Sequence, residues 1–244
     1  MTVYLVGAGP GDPGLLTMRA AELLQKADVV LYDRLVDESI IAMIPNTTKK
    51  VYVGRAVGDD ASHQNSTNQY MLEYAEIMKT VVRLKGGDPI IFGRGGEEAQ
   101  FLKKHNIKYE IVPGITSGIG SATYSGIPLT FRGYSSSVVF VTGHEDPLKE
   151  TESVRWQNLA KSVDTIVIMM GLSRIRTICD ELMRGGMDPA IPVSVIQNGT
   201  TSRQEIVTGP ISDIARIVKE SDMSPPANII IGRVVDLHQE LRWR

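Results

Sequence analysis

Asp88, Arg94 and Glu97 stand close together in the run Arg83-Leu84-Lys85-Gly86-Gly87-Asp88-Pro89-Ile90-Ile91-Phe92-Gly93-Arg94-Gly95-Gly96-Glu97-Glu98. Glycine strips the Cβ from the backbone, so main chain here can approach a ligand closely. Amides, an acceptor and a cation in one loop suit the holding of a small charged molecule. The plainer alternative is a tight strand-to-helix turn with solvated charges, Arg94 pairing with Glu97 three residues on. A second glycine-rich loop, Gly7-Ala8-Gly9-Pro10-Gly11-Asp12-Pro13-Gly14, invites comparison with dinucleotide-binding turns. Asp12 fills the place of the third glycine in G-x-G-x-x-G, and Pro10 and Pro13 remove amides that a pyrophosphate would use. What remains is a loop that comes close to something small and not strongly anionic. Asp33-Arg34 follows the apolar run Asp28–Tyr32, at the strand end where open α/β sheets place their ligands. Asp33 could equally cap the segment that follows.

These residues need strands to aim them. Short β-branched and aromatic runs at 2–6, 28–32, 51–53, 80–82 and 109–112 alternate with helical patterns. The helices are marked by Leu16, Ala20, Leu23, Leu24 and Ala27, by Thr67, Met71, Tyr74, Ala75 and Met78, and by the stretch from about Gly95 to His105. After Pro113–Gly118 come small residues through Ser125, among them Gly120, Ser121, Ala122 and Thr123, which predict a helix that packs its backbone tightly against another helix or a flat ligand. The second half repeats the alternation, with strands at 137–141, 165–170, 193–197 and 228–232 and helical patterns near 173–183 and 211–219. The segment 204–207 is too close to Gln197 for a helical crossover, so it is expected to pair antiparallel. The chain reads as two α/β domains: an N-terminal one over 1–113 with a mostly parallel sheet, a connector over 114–134, and a C-terminal one with a mixed sheet over 135–244. Arg132 in the connector is either a cation for an acidic substrate or a solvated loop arginine, and Met170 at a strand end is by default a core residue.

Composition narrows the function. At 244 residues with 42% hydrophobic residues, the chain can bury a proper core. A net charge of −2 and the lack of a long basic tract argue against nucleic acid and anionic membrane as partners. One cysteine, Cys179, excludes an internal disulfide framework, and the four histidines lack metal-ligand spacing, so no metal is expected. The apolar runs fall far below the ~20 residues that span a bilayer. A reducing, cytoplasmic setting is the expectation.

Taken together, Val6-Gly7-Ala8-Gly9-Pro10-Gly11-Asp12-Pro13-Gly14-Leu15-Leu16-Thr17, Tyr32-Asp33-Arg34-Leu35, the Arg83–Glu98 run, Pro113-Gly114-Ile115-Thr116-Ser117, Ser125-Gly126-Ile127-Pro128-Leu129-Thr130 and Asn198-Gly199-Thr200 resemble the tetrapyrrole methylase family over essentially the whole chain. The resemblance implies two α/β domains with the active site in the cleft between them, a homodimer, and S-adenosyl-L-methionine as methyl donor with S-adenosyl-L-homocysteine as product. It further implies two successive C-methylations of uroporphyrinogen III to precorrin-2, the branch point to sirohaem and cobalamin-type cofactors. By position, Pro10, Gly86, Gly87, Asp88, Ile91, Thr116, Ser117, Met170 and Gly199 match the family's donor-binding residues, and Ala227 lies in a loop resembling a further donor contact. Arg94, Glu97 and Arg132 match its substrate-binding positions, and Asp33 its proton acceptor. Arg55 stands where the family often has a lysine proposed as proton donor. Arginine holds its proton too tightly for that duty, so Arg55 reads as an electrostatic anchor for a substrate carboxylate. In the loop that follows, Asp60 replaces a histidine common in the family, while Gln64 and Asn68 are kept. The alternatives are a sibling methylase acting on a later precorrin, a nicotinamide-dependent oxidoreductase, and a non-catalytic tetrapyrrole-binding module.

Overall fold

Parallel strands covered on both faces read as near-continuous runs of Val, Ile and Leu. The N-terminal half folds from such runs. The structure, a computed structural model, describes residues 1–54, 62–144 and 153–243, and the side chains of residues 62–66 stand outside that description. Its contacts divide the chain into two units, Met1–Ser117 and Gly118–Arg244.

In the first unit β1 (Thr2–Gly7), β2 (Val29–Tyr32), β3 (Lys49–Tyr52), β4 (Thr80–Lys85) and β5 (Tyr109–Val112) form a five-stranded sheet of order β3-β2-β4-β1-β5. Every pairing in it is parallel. Alternation along the strands sends Val6, Val30, Val82 and Leu84 to one face, against Leu23 and Leu24 of α1 (Met18–Lys26) and Ile40 of α2 (Glu38–Ala42). The other face carries Val3, Leu5, Val29, Leu31 and Val81, against Met71 and Ala75 of α3 (Ser62–Ile77) and Ala99 and Leu102 of α4 (Gly95–Lys104). Local chemistry starts the helices: the Thr17 hydroxyl accepts from the Ala20 amide at 3.1 Å, and the Asp37 carboxylate from the Ser39 amide at 3.0 Å. From β1 the chain leaves over one face through α1, and from the adjacent β4 it leaves over the other through α4. Two neighbouring strands whose connections part in this way open a crevice at their C-terminal ends, where such sheets bind ligands.

The second unit carries β6 (Val138–Thr142), β7 (Thr165–Met169), β8 (Pro192–Gln197), β9 (Glu205–Pro210) and β10 (Ala227–Ile231) in the order β6-β7-β10-β8-β9. Only β6 and β7 pair in parallel; the rest are antiparallel, so the sheet is mixed as expected. The anticipated extra strand is β9, which joins β8 antiparallel over Glu205–Pro210. One face packs Ile166, Ile168, Val195 and Ile229 against α6 (Trp156–Ser162), α7 (Ile175–Arg184) and α8 (Ile214–Glu220). The other packs Ile196 and Ile230 against Ala122 of α5 (Ser117–Tyr124) and Val234 and Val235 of the C-terminal segment, which ends in the short α9 (His238–Leu241). The small-residue helix does pack by its backbone: a Cβ on Gly118 would stand 2.8 Å from the Phe140 ring and 2.9 Å from Val167. Among the described residues no helix is long and apolar enough to cross a membrane.

Candidate active site

Across the crevice between β1 and β4 the two glycine loops are joined main chain to main chain. The Gly9 amide donates to the Gly87 carbonyl at 3.1 Å, and the Gly87 amide returns a bond to Gly9 at 2.7 Å. Gly9 and Gly87 both take positive φ, at 74° and 69°, where a side chain would be strained. A Cβ on Gly87 would sit at ordinary contact distance from the loop after β5, 3.6 Å from Ser117 N and 3.8 Å from Thr116 Cα, so its positive φ and not crowding calls for glycine there. Gly86 is glycine for a different reason: a Cβ there would meet Leu35 Cβ at 2.6 Å. Gly7 is hemmed in likewise, its missing Cβ 2.6 Å from Gly114 N and 2.7 Å from the Gly87 carbonyl oxygen. Bare backbone from the loops after β1, β4 and β5 thus meets at one place, with Pro10 beside Gly9, Thr116 buried and Ser117 half-buried.

Asp88 fastens these loops. Its Oδ1 accepts from the Ile90 and Ile91 amides at 2.8 and 3.0 Å, and its Oδ2 from Gly114 N at 3.0 Å, across to the loop after β5. Beyond it Ile90, Ile91 and Phe92 are exposed, and Phe92 and Arg94 hold left-handed backbone at φ 53° and 59°. Left-handed non-glycine residues cost free energy and gather at functional loops. Arg94 pairs with Glu97 through Nε at 3.0 Å to Oε1 and Nη2 at 2.6 Å to Oε2, so the contact foreseen as the plainer alternative is present.

Asp33, at the end of β2, is held from two sides. Its Oδ1 accepts from Leu35 N at 3.1 Å, and Arg83 Nη2 donates to its Oδ2 at 3.0 Å. Arg83 also donates from Nε to Glu98 Oε1 at 3.2 Å and from Nη1 to the Leu84 carbonyl at 2.9 Å. Lys85 Nζ lies 3.0 Å from each oxygen of Glu98. Only Oε1 is a directed acceptor; Oε2 takes no hydrogen bond of ordinary geometry and feels Lys85 as an ion pair. The Glu98 side chain is 1% exposed, those of Arg83 and Lys85 6%, and that of Asp33 22%. Burial first, and the nearby Arg83 cation second, push the Lys85 ammonium below its ordinary value, against the pull of Glu98. This cluster escaped the sequence reading. Its signal was present, because Arg83 and Lys85 alternate on a central parallel strand and must be buried on one face, which requires carboxylate partners.

In the second unit the strand register gathers three anticipated residues. Asn228 pairs with both Met169 and Ile196, so Met170, Ala227 and the Asn198–Thr200 turn lie at the same end of the sheet. Met170 adopts φ 56° and is 51% exposed, so it is not the core residue its type suggests. Gly199 lies against α5, where a Cβ would be 2.1 Å from Ser121 Oγ. Arg132 is exposed in the turn closed by the Phe131–Ser135 bridge. Arg55 and Asp60 lie outside the described residues, as does the side chain of Gln64, while Asn68 is buried on α3.

The family model described as Tetrapyrrole (Corrin/Porphyrin) Methylases matches residues 2–215. A siroheme synthase of Nitrosomonas europaea is 47% identical over 242 residues, which are 99% of this chain and 50% of that protein. The chain spans about half the length of the curated relatives it matches. The crystal structure of a uroporphyrin-III C-methyl transferase from Thermus thermophilus, complexed with S-adenosyl homocysteine, aligns with TM-score 0.84 at 41% identity, covering 97% of this chain and 100% of that one. A cobalamin biosynthetic enzyme, cobalt precorrin-4 methyltransferase, aligns with TM-score 0.84 at 29% identity over 96% of each chain.

Proposed function

The chain belongs to the tetrapyrrole (corrin/porphyrin) methylases, and from that premise we propose that it methylates uroporphyrinogen III twice at carbon, giving precorrin-2, with S-adenosyl-L-methionine as donor. It acts as a homodimer in the cytoplasm. The supporting observation is the naked main chain at the switch point: left-handed glycines 9 and 87, bonded to each other, with the backbone of Thr116 and Ser117 beside Gly87. A sulfonium carried by an adenosine is a cation on an apolar plate, and bare backbone, small residues and a thioether suit it better than an anion-binding helix terminus. Pro10, Gly86, Gly87, Asp88, Ile91, Thr116 and Ser117 would hold it, and Met170, Gly199 and Ala227 are the further donor positions that the family resemblance implies. When bound, the donor supplies an electrophilic methyl group and leaves as the neutral thioether.

The chain's own share is alignment and proton removal. Guanidinium forks on Arg94, Arg132 and Arg55 fix the carboxylates of the macrocycle, where a substrate carboxylate would compete with Glu97 for the Arg94 fork. Alignment of this kind is worth several powers of ten in rate. Asp33, pinned at both oxygens and partly exposed, accepts the proton that the macrocycle gives up as its double bonds rearrange after methylation. Anaerobic incubation with uroporphyrinogen III and labelled donor, read by mass, should add two methyl groups. A chain that leaves this substrate unchanged but adds one methyl to a later precorrin is the sibling methylase. Asp33→Asn should bind S-adenosylhomocysteine as before and turn over about 100- to 10,000-fold more slowly. A wild-type rate in that variant removes Asp33 from the mechanism.

A further inference from the structure

A carboxylate that takes a proton from a carbon acid must be aimed, and its aim has to be set by something more rigid than its own turn. At Asp33 the local bond to Leu35 N fixes only Oδ1. Oδ2 is set from β4, through a guanidinium whose every nitrogen is engaged: Nε on Glu98, Nη1 on the Leu84 carbonyl and Nη2 on Asp33. Glu98 comes from α4, and Lys85 lies against it in turn. The four groups carry two positive and two negative formal charges, so the cluster is balanced while nearly all of it is out of water. A purely structural core would be served as well by apolar side chains of similar size, because buried ion pairs seldom gain stability over hydrophobic packing. Only its Asp33 end is partly exposed, and that is the end that resembles the family's proton acceptor.

We propose that Arg83 is a positioning residue for Asp33, with Glu98 and Lys85 holding the guanidinium in the plane that aims the carboxylate. The inference rests on the reading of Asp33 given above. A lysine at position 83 keeps the charge but offers one nitrogen where the fork offers three, so it cannot bond Glu98, the Leu84 carbonyl and Asp33 together. Arg83→Lys should therefore bind S-adenosylhomocysteine normally and keep its KM for the tetrapyrrole, while kcat falls about 100-fold, the scale of a small misplacement of a reacting group. The double variant Asp33→Asn with Arg83→Lys should be no slower than Asp33→Asn alone, since Arg83 acts through Asp33.

The outcomes separate cleanly. Asp33→Asn at the wild-type rate sinks the reading of Asp33 and the inference with it. A slow Asp33→Asn beside a wild-type Arg83→Lys, or rate losses that multiply in the double variant, overturns the inference alone. If Arg83→Lys fails to bind S-adenosylhomocysteine, Arg83→Gln combined with Glu98→Gln removes one charge of each sign and leaves Lys85 and Asp33 balanced. The same kcat loss and the same absence of multiplication with Asp33→Asn are expected there, and a wild-type kcat again refutes the role.

Discussion

Asp88 shows how far a single residue's chemistry can be read from its type. Its place between glycines in a loop suggested an acceptor, and it is one, but its two oxygens accept from main-chain amides at Ile90, Ile91 and Gly114. Its first effect is therefore on the shape of the loops, and any effect on a donor is exerted partly through that shape. Asp88→Asn turns one acceptor oxygen into an NH2 group facing amide donors, which should lower stability by about 1–3 kcal/mol. Denaturant unfolding measures that loss, and a titration with S-adenosylhomocysteine should show weaker binding in the same variant. The glycines were legible for the same reason: Gly87 requires positive φ and Gly86 a close approach, the two uses glycine has. Arg83, Lys85 and Glu98 were not read, because a charge on an apolar strand announces burial without naming the partner, and Glu98 lies on a separate helix.

At the scale of elements, strands were found wherever a β-branched run ended in glycine or a polar pair, and observed ends fall within a few residues of those expected. The short α2 and α6 and the C-terminal α9 were missed, since helices this brief show no full period of apolar residues. One device went unseen in both units. Asp28 precedes β2 and its Oδ2 accepts from the Lys79 and Thr80 amides at 3.0 and 2.8 Å, at the start of the neighbouring β4. Asp164 precedes β7, and its Oδ2 accepts from the Ser136 and Ser137 amides at 2.8 and 3.1 Å and from the Ser137 hydroxyl at 3.0 Å, just before the neighbouring β6. A carboxylate before a strand thus satisfies amides where its parallel neighbour begins. The Ser136 amide first, then the Ser137 hydroxyl, hold the Asp164 carboxyl below its ordinary 3.8. A depressed folded value means the unfolded chain binds the proton first, so the stabilisation is complete above about 3.8 and is lost as pH falls through the folded value. Asp164→Asn should flatten that part of the acid unfolding curve, as followed by circular dichroism below pH 3.8.

For the molecule as a whole, alternating strands and helices announced two α/β units, while the choice between parallel and mixed sheets followed from the lengths of the connections. What the sequence could not supply was strand order, and with it the knowledge that β1 and β4 are neighbours whose connections part. Cys179 reports on the integrity of the second unit's core. It is 2% exposed, and burial first, with Asp180 second, pushes its thiol up to about 12. At neutral pH the native protein should therefore resist a thiol reagent and label only as it opens, with a rate that rises with denaturant alongside the population of unfolded chains. A native protein that labels at once would mean that α7 is not packed as described. The paired bonds between Gly9 and Gly87 carry a last consequence. They form an isolated antiparallel bridge just past the ends of the parallel strands, so the floor of the crevice is organised before any guest arrives. Little conformational entropy is then left to surrender on binding, and a ligand's grip there is governed by how well it fits rather than by how much it must freeze.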